Sequence, residues 1–183
     1  MIRKKVFYIF ISSVILLMSG VASYAASYAA PSLIATAATT TVTAAPTAST
    51  VLVDGKNVVF DAYNIADYNY FKLRDLAYVL SGTSKKFDVS WYDEKDAILL
   101  SSGFTYNIVG GEMTGKGSGV KTATPTESRI FINEKQVQFT AYLIEGNNYF
   151  KLRDIGEAFD FGVDWIGDIN TIVIDTGQKY IAP

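Results

Sequence analysis

The chain has 183 residues, with 16 Lys and Arg against 18 Asp and Glu, and it contains neither cysteine nor histidine. Without those donors it has no disulfide framework, no Ser-His-Asp or Cys-His catalysis and none of the common zinc or copper ligand sets. Its basic residues are scattered along the sequence, which argues against nucleic acid as a partner. We therefore expect a protein that is not an enzyme and that uses no cofactor and no metal.

The N-terminus has the pattern of a secretory signal peptide, predicted over residues 1–25. Three basic residues at positions 3–5 precede an apolar run, Val6 to Met18. That run is too short for a transmembrane helix, which needs about 20 residues. Small residues then offer cleavage after Ala25 or after Ala29. We expect a secreted protein with no stable membrane span after cleavage, and a retained N-terminal anchor is the alternative.

Residues 26–50 are almost entirely Ala, Thr, Ser and Pro and carry no charge. A segment without apolar periodicity has no face to bury, so we predict a flexible spacer. The rest of the chain, residues 51–183, is predicted to be one domain. Removal of the signal would leave 13 basic against 18 acidic residues, a net charge of −5.

Comparison of the chain with itself reveals an internal duplication. The hexapeptide YFKLRD occurs at Tyr70–Asp75 and again at Tyr149–Asp154, at an offset of 79. Further along, the offset becomes 74 and pairs Phe87, Trp91 and Tyr106 with Phe161, Trp165 and Tyr180. We divide the domain into repeat one (51–109), a connector rich in Gly, Ser and Thr (110–129) and repeat two (130–183).

The sequence pattern of each repeat predicts two strands, then a short helix, then two further strands. Asp54-Gly55 suits the turn of a β-hairpin, because glycine adopts positive φ without strain. Leu73, Leu76 and Leu80 have the spacing of one apolar helix stripe. A repeat of about 55 residues is marginal as an isolated domain. The predicted fold class is therefore α+β, with two tandem repeats of β-hairpin, short helix and β-hairpin packed into one compact unit.

Several segments resemble the copper amine oxidase N-terminal-like, or stalk, domain family: NYFKLRD in both repeats, FDVSW, FGVDW, GGEMTGKGSG and NTIVIDT. The resemblance covers residues 51–183. It implies a module found in secreted and surface proteins of Gram-positive bacteria, often beside cell-wall hydrolases. It implies neither copper nor oxidation, because the family takes its name from an appendage outside the catalytic portion of the oxidase.

Candidate ligand contacts lie in and beside the repeated hexapeptide. Arg and Lys at a loop-to-helix junction can donate to anionic groups, and exposed tyrosines suit the stacking of sugars. The candidates are Tyr68, Tyr70, Lys72, Arg74, Tyr149, Lys151 and Arg153. The alternative is a local role, in which the charges stabilise the helix start and the aromatic rings fill the core. Trp91 and Trp165 each follow a valine by two positions, and we expect both to be buried.

The sequence is compatible with three functions. The favoured one is a non-catalytic extracellular binding or scaffold module that associates with a cell-wall polymer, a glycan or another surface protein. A purely structural stalk or spacer is the alternative. A hydrolase that uses carboxylates alone is a remote third, since no carboxylate pair is marked out by its sequence setting.

Overall fold

The computed structural model describes residues 40–183, apart from residues 116 and 118. This part of the chain forms fourteen strands and two α-helices. The strands of the first half are β1 (Val42–Pro46), β2 (Thr50–Val53), β3 (Lys56–Asn57), β4 (Ala62–Ile65), β5 (Tyr68–Lys72), β6 (Phe87–Tyr92) and β7 (Ala97–Ser102), with helix α1 (Leu73–Leu80). Those of the second half are β8 (Lys121–Pro125), β9 (Arg129–Ile132), β10 (Lys135–Val137), β11 (Ala141–Ile144), β12 (Asn147–Lys151), β13 (Gly162–Ile166) and β14 (Thr171–Asp175), with helix α2 (Leu152–Phe159).

The molecule is mostly β, and the predicted α+β unit of two hairpin-helix-hairpin repeats is wrong. Six strands close into a barrel in the order β1-β4-β5-β12-β11-β8. The other eight form two four-stranded sheets, β10-β9-β7-β6 and β13-β14-β2-β3. Every one of these three sheets contains strands from both halves of the chain.

The two halves exchange their outer hairpins. Strand β2 runs parallel to β14, with Val51 opposite Ile172. The equivalent pairing joins β9 to β7, with Ile130 opposite Ile98. The first hairpin of each repeat thus completes its sheet with the last hairpin of the other. Strand pairing between distant segments leaves no local sequence pattern, which is why self-contained repeats were expected.

The barrel includes two strands in segments for which no regular structure was expected. Strand β1 lies within the predicted spacer 26–50, and β8 lies within the predicted connector 110–129. They match at the offset of 79, and Thr43 pairs with Thr122 across them. The boundary at residue 50 is therefore too late, because the folded unit already includes Val42. The predicted signal peptide lies outside the described residues, as does the spacer up to residue 39.

The two helices confirm the short helix predicted in each repeat. Each has eight residues and begins directly at the end of a barrel strand. In α1 the buried side chains are Leu73, Asp75, Leu76, Ala77 and Leu80. The helices contribute to a large core shared by both repeats, while a second cluster fills the barrel. Among the described residues, no helix is long and apolar enough to span a membrane.

Candidate functional site

Two clefts of equivalent construction lie on the surface, and we call them cleft one and cleft two. Each is lined by the start of one helix, by the edge of a sheet and by a barrel hairpin of the other repeat. Cleft one includes Arg74, Trp91, Thr126 and Asn148. Cleft two includes the matching residues Arg153, Trp165, Thr47 and Asn69. The duplication therefore produces the same type of concave surface twice.

The tryptophans of the clefts are half exposed, so the expectation that they are buried is wrong. Trp91 is 44% exposed and Trp165 is 45% exposed. Trp91 lies on the same face of β6 as the buried Val89, but two residues further along, at the open edge of cleft one. An exposed indole beside polar groups suits the apolar face of a sugar or another planar group.

A side-chain pair of threonine and asparagine fixes the rim of each cleft. The Thr47 hydroxyl lies 3.0 Å from Asn69 Oδ1 in cleft two. The Thr126 hydroxyl lies 2.7 Å from Asn148 Oδ1 in cleft one. Among the described residues neither asparagine Nδ2 group donates a hydrogen bond, so its two donors can meet a ligand oxygen. Sequence reasoning missed all four residues, although the repetition of the asparagine in NYFKLRD was the available signal.

Cleft two keeps its cations free of carboxylate partners. Lys151 Nζ lies 3.7 Å from the centroid of the Tyr68 ring, in a cation–π contact. Arg153 Nη1 donates to the Val163 carbonyl oxygen at 3.3 Å. Within the described part of the chain, neither Lys151 nor Arg153 forms a salt bridge. Tyr68 is 49% exposed.

In repeat one, residues 107–114, which we call the strap, bind Lys72 directly and Arg74 through Tyr106. Lys72 Nζ lies 3.0 Å from Asp75 Oδ1 and donates to the Gly111 carbonyl oxygen at 2.9 Å. The backbone N–H of Met113 donates to the same Asp75 oxygen at 2.9 Å. Burial raises the pKa of Asp75, while the bonds from Met113 and Lys72 oppose that rise. Lys72 is only 3% exposed, so it is part of the interior.

A carboxylate within the strap forms its second connection to repeat one. Arg74 Nη1 donates to the Tyr106 hydroxyl at 3.2 Å, and that hydroxyl donates to Glu112 Oε1 at 2.6 Å. The backbone N–H groups of Val109 and Gly110 also donate to Glu112. Burial alone would raise the pKa of Glu112, but these hydrogen bonds outweigh it and lower that pKa to about 2. The local role that we considered for the junction charges therefore fits Lys72 and Arg74.

Tyr70 and Tyr149 do not reach any cleft. They are 3% and 0% exposed, and both point into the barrel. Tyr149 packs edge-on against Tyr63 with ring centroids 5.3 Å apart, and Tyr70 does the same with Tyr142 at 5.1 Å. Neither can contact a ligand at the surface, which corrects their inclusion among the candidates. With Lys72 also buried, the candidates that remain accessible are Tyr68, Arg74, Lys151 and Arg153.

The chemistry available in the clefts is recognition by stacking and hydrogen bonding. Among the described residues, no three acidic side chains lie close enough together to hold a metal ion. The scan against protein-family models found no match, and neither the search of curated proteins nor the search of solved structures found a similar protein.

Proposed function

We propose that this protein is a non-catalytic extracellular binding module of the stalk-domain type it resembles, secreted through its N-terminal signal and associated with glycans of a bacterial cell wall. The observation that carries this proposal is the half-exposed tryptophan in each of the two clefts. A half-exposed indole forgoes part of the stabilisation that full burial would give the fold. Aromatic side chains are also enriched where a protein contacts a partner.

The polar groups beside each indole support a sugar ligand. Glycan binding combines one apolar ring face with hydrogen bonds to hydroxyl and amide groups. Trp165 lines cleft two together with Asn69, Thr47 and Arg153. Two similar clefts on one molecule also suit a repetitive polymer, because a second contact to the same chain becomes intramolecular and raises avidity.

The test is a pull-down of the purified protein with intact insoluble cell wall and with peptidoglycan from which the anionic polymers have been stripped. The double variant Trp91→Ala with Trp165→Ala should lose at least about tenfold in apparent affinity, the loss expected from removing one stacking contact of about 1.4 kcal/mol. Tyr78→Ala is the matched control, because this ring is 43% exposed on α1 and lines neither cleft.

The alternative function, a structural stalk, predicts a different result. A stalk that only holds other parts apart would bind neither form of the wall. Equal retention of the double variant and the control would likewise remove the clefts from any binding role. Thermal unfolding of each variant separates lost binding from lost folding. About half of each indole is buried, so the double variant should have a lower Tm, and a cooperative transition above the assay temperature shows that it still folds.

A further inference from the structure

The same four side chains recur at the helix start of both repeats, but only in repeat one does the structure describe a segment lying across them. In repeat one they are Lys72, Arg74, Asp75 and Tyr106. In repeat two they are Lys151, Arg153, Asp154 and Tyr180. The strap of repeat one therefore shows what this set of residues can hold.

The tyrosines occupy equivalent positions in the two repeats. The backbone N–H of Tyr106 donates to the Ser81 hydroxyl at 3.2 Å, and that of Tyr180 donates to Asp160 Oδ1 at 3.2 Å. Ser81 and Asp160 themselves correspond, each as the residue that ends its helix. The Tyr180 hydroxyl can thus take the place that the Tyr106 hydroxyl has beside the arginine.

The contacts in repeat one define the chemistry of the occupant. Lys72 binds a backbone carbonyl, and Asp75 accepts a backbone N–H two residues further along the strap. Between them, the side chain of Glu112 receives the Tyr106 hydroxyl, which is itself bound by Arg74. The occupant is therefore a tight peptide turn with a carboxylate at its centre, of the form Gly-Gly-Glu-Met, in which both glycines and the methionine have positive φ.

The corresponding groups in repeat two are available to a similar peptide. Asp154 uses Oδ2 to accept the Thr140 N–H at 3.2 Å, and no hydrogen bond to its Oδ1 occurs among the described residues. Lys151 rests on the exposed Tyr68 ring, from which a flexible side chain can turn away. Arg153 holds one carbonyl oxygen and no carboxylate in the described part of the chain. Among the described residues, Lys151 thus lacks the ion pair that Lys72 forms with Asp75, and Arg153 lacks a counterpart of Glu112.

We propose that the helix start of repeat two is a peptide-binding site, which holds in trans a tight turn with a central acidic side chain, as repeat one holds its own strap. The occupant belongs to a partner protein, whose backbone bonds to Lys151 and Asp154 and whose carboxylate meets Tyr180 and Arg153. Charge-assisted hydrogen bonds of this kind are about twice as strong as neutral ones. This site shares Lys151 and Arg153 with cleft two but takes a peptide rather than a sugar, and its test does not rest on glycan binding.

The probe is a capped synthetic peptide with the sequence of residues 107–115, Asn-Ile-Val-Gly-Gly-Glu-Met-Thr-Gly, labelled at its N-terminus. Fluorescence anisotropy with the full protein should show saturable binding. The same peptide with Gln in place of Glu should bind at least about tenfold more weakly, because it loses a charge-assisted bond. Absence of saturable binding, or equal affinity of the two peptides, overturns the proposal.

Variants locate the site. Arg153→Ala and Tyr180→Phe should each weaken binding several-fold, whereas the matched substitution Arg74→Ala should not. Loss with Arg74→Ala alone would mean that the probe displaces the internal strap, and that result overturns the assignment to repeat two. Circular dichroism of each variant checks folding, and Tyr180→Phe, which removes one hydroxyl, keeps the test valid if Arg153→Ala unfolds.

Discussion

Phe71 and Phe150 lie directly opposite each other in neighbouring strands β5 and β12, and they are the same position of the two repeats. Thr43 and Thr122 have the same relationship in β1 and β8. These two self-pairings lie on two different seams of the barrel. The repeats are therefore joined through an approximate two-fold axis rather than placed one after the other.

Truncation of either phenylalanine should be severely destabilising. Both rings are completely buried in the shared core. Phe71→Ala and Phe150→Ala should each reduce the free energy of unfolding by about 3–5 kcal/mol, measured by denaturant titration. Val59→Ala, at a side chain that is 83% exposed, should change it by less than about 0.5 kcal/mol. A large loss for one phenylalanine and a small loss for the other would contradict a symmetric core.

Substitution of Tyr149 and of Tyr70, which are equivalent residues inside the barrel, should have unequal effects on the free energy of unfolding. The Tyr149 hydroxyl donates to Asp61 Oδ2 at 2.6 Å, and Asp61 is only 7% exposed. Thr140 occupies the position of Asp61 in repeat two, so Tyr70 has no such carboxylate. Tyr149→Phe leaves a buried carboxylate without its donor and should cost about 1–3 kcal/mol in unfolding free energy.

Tyr70→Phe is the matched control and should cost clearly less. Equal losses for the two variants would show that packing, and not the bond to Asp61, determines the effect. Burial is also the main reason that the pKa of Tyr149 is raised, with Asp61 adding to it. The hydroxyl therefore stays protonated and able to donate at any pH at which the protein is handled.

The attachment of the strap should weaken at acid pH. The fold lowers the pKa of Glu112 from its ordinary 4.5 to about 2. A lowered pKa means that the ionised side chain stabilises the folded state above about pH 4.5, and that this contribution is lost as pH falls towards 2. Glu112→Gln should therefore lower Tm at pH 7, and the difference from the unmodified protein should shrink as the pH approaches 2.

Glu157→Gln is the control for that comparison, since this glutamate is exposed on α2. It should leave Tm unchanged across the same range of pH. The role of the ionised carboxylate would be contradicted if the difference in Tm between Glu112→Gln and the unmodified protein stayed constant from pH 7 to 2.

The helices and the duplication could be predicted because they are encoded locally. The apolar stripe of α1 is visible within eight residues, and identical hexapeptides fix the alignment of the repeats. The barrel could not be predicted in the same way. In β1 only the small side chain of Ala44 is buried, so the strand has no apolar alternation to recognise.

The candidate site was found only in part, for a related reason. Alternation along a strand tells which face a side chain takes, but not where the sheet ends. Val89 and Trp91 lie on the same face of β6. Val89 is buried in the shared core, whereas Trp91 projects into cleft one. The strap was missed because its Glu112 lies in a Gly-rich segment and meets Tyr106 and Arg74 only in the folded chain.

The parallel pairing of β2 with β14 has a consequence for how the chain folds. Ser49 and Asn170, beside the ends of these strands, are hydrogen-bonded although 121 residues separate them. The first outer hairpin keeps one edge unpaired until almost the whole chain is available. Such long-range closure is typical of slow folding in β proteins. A newly synthesised chain must therefore be kept from pairing that open edge with a neighbour until its last strand has formed.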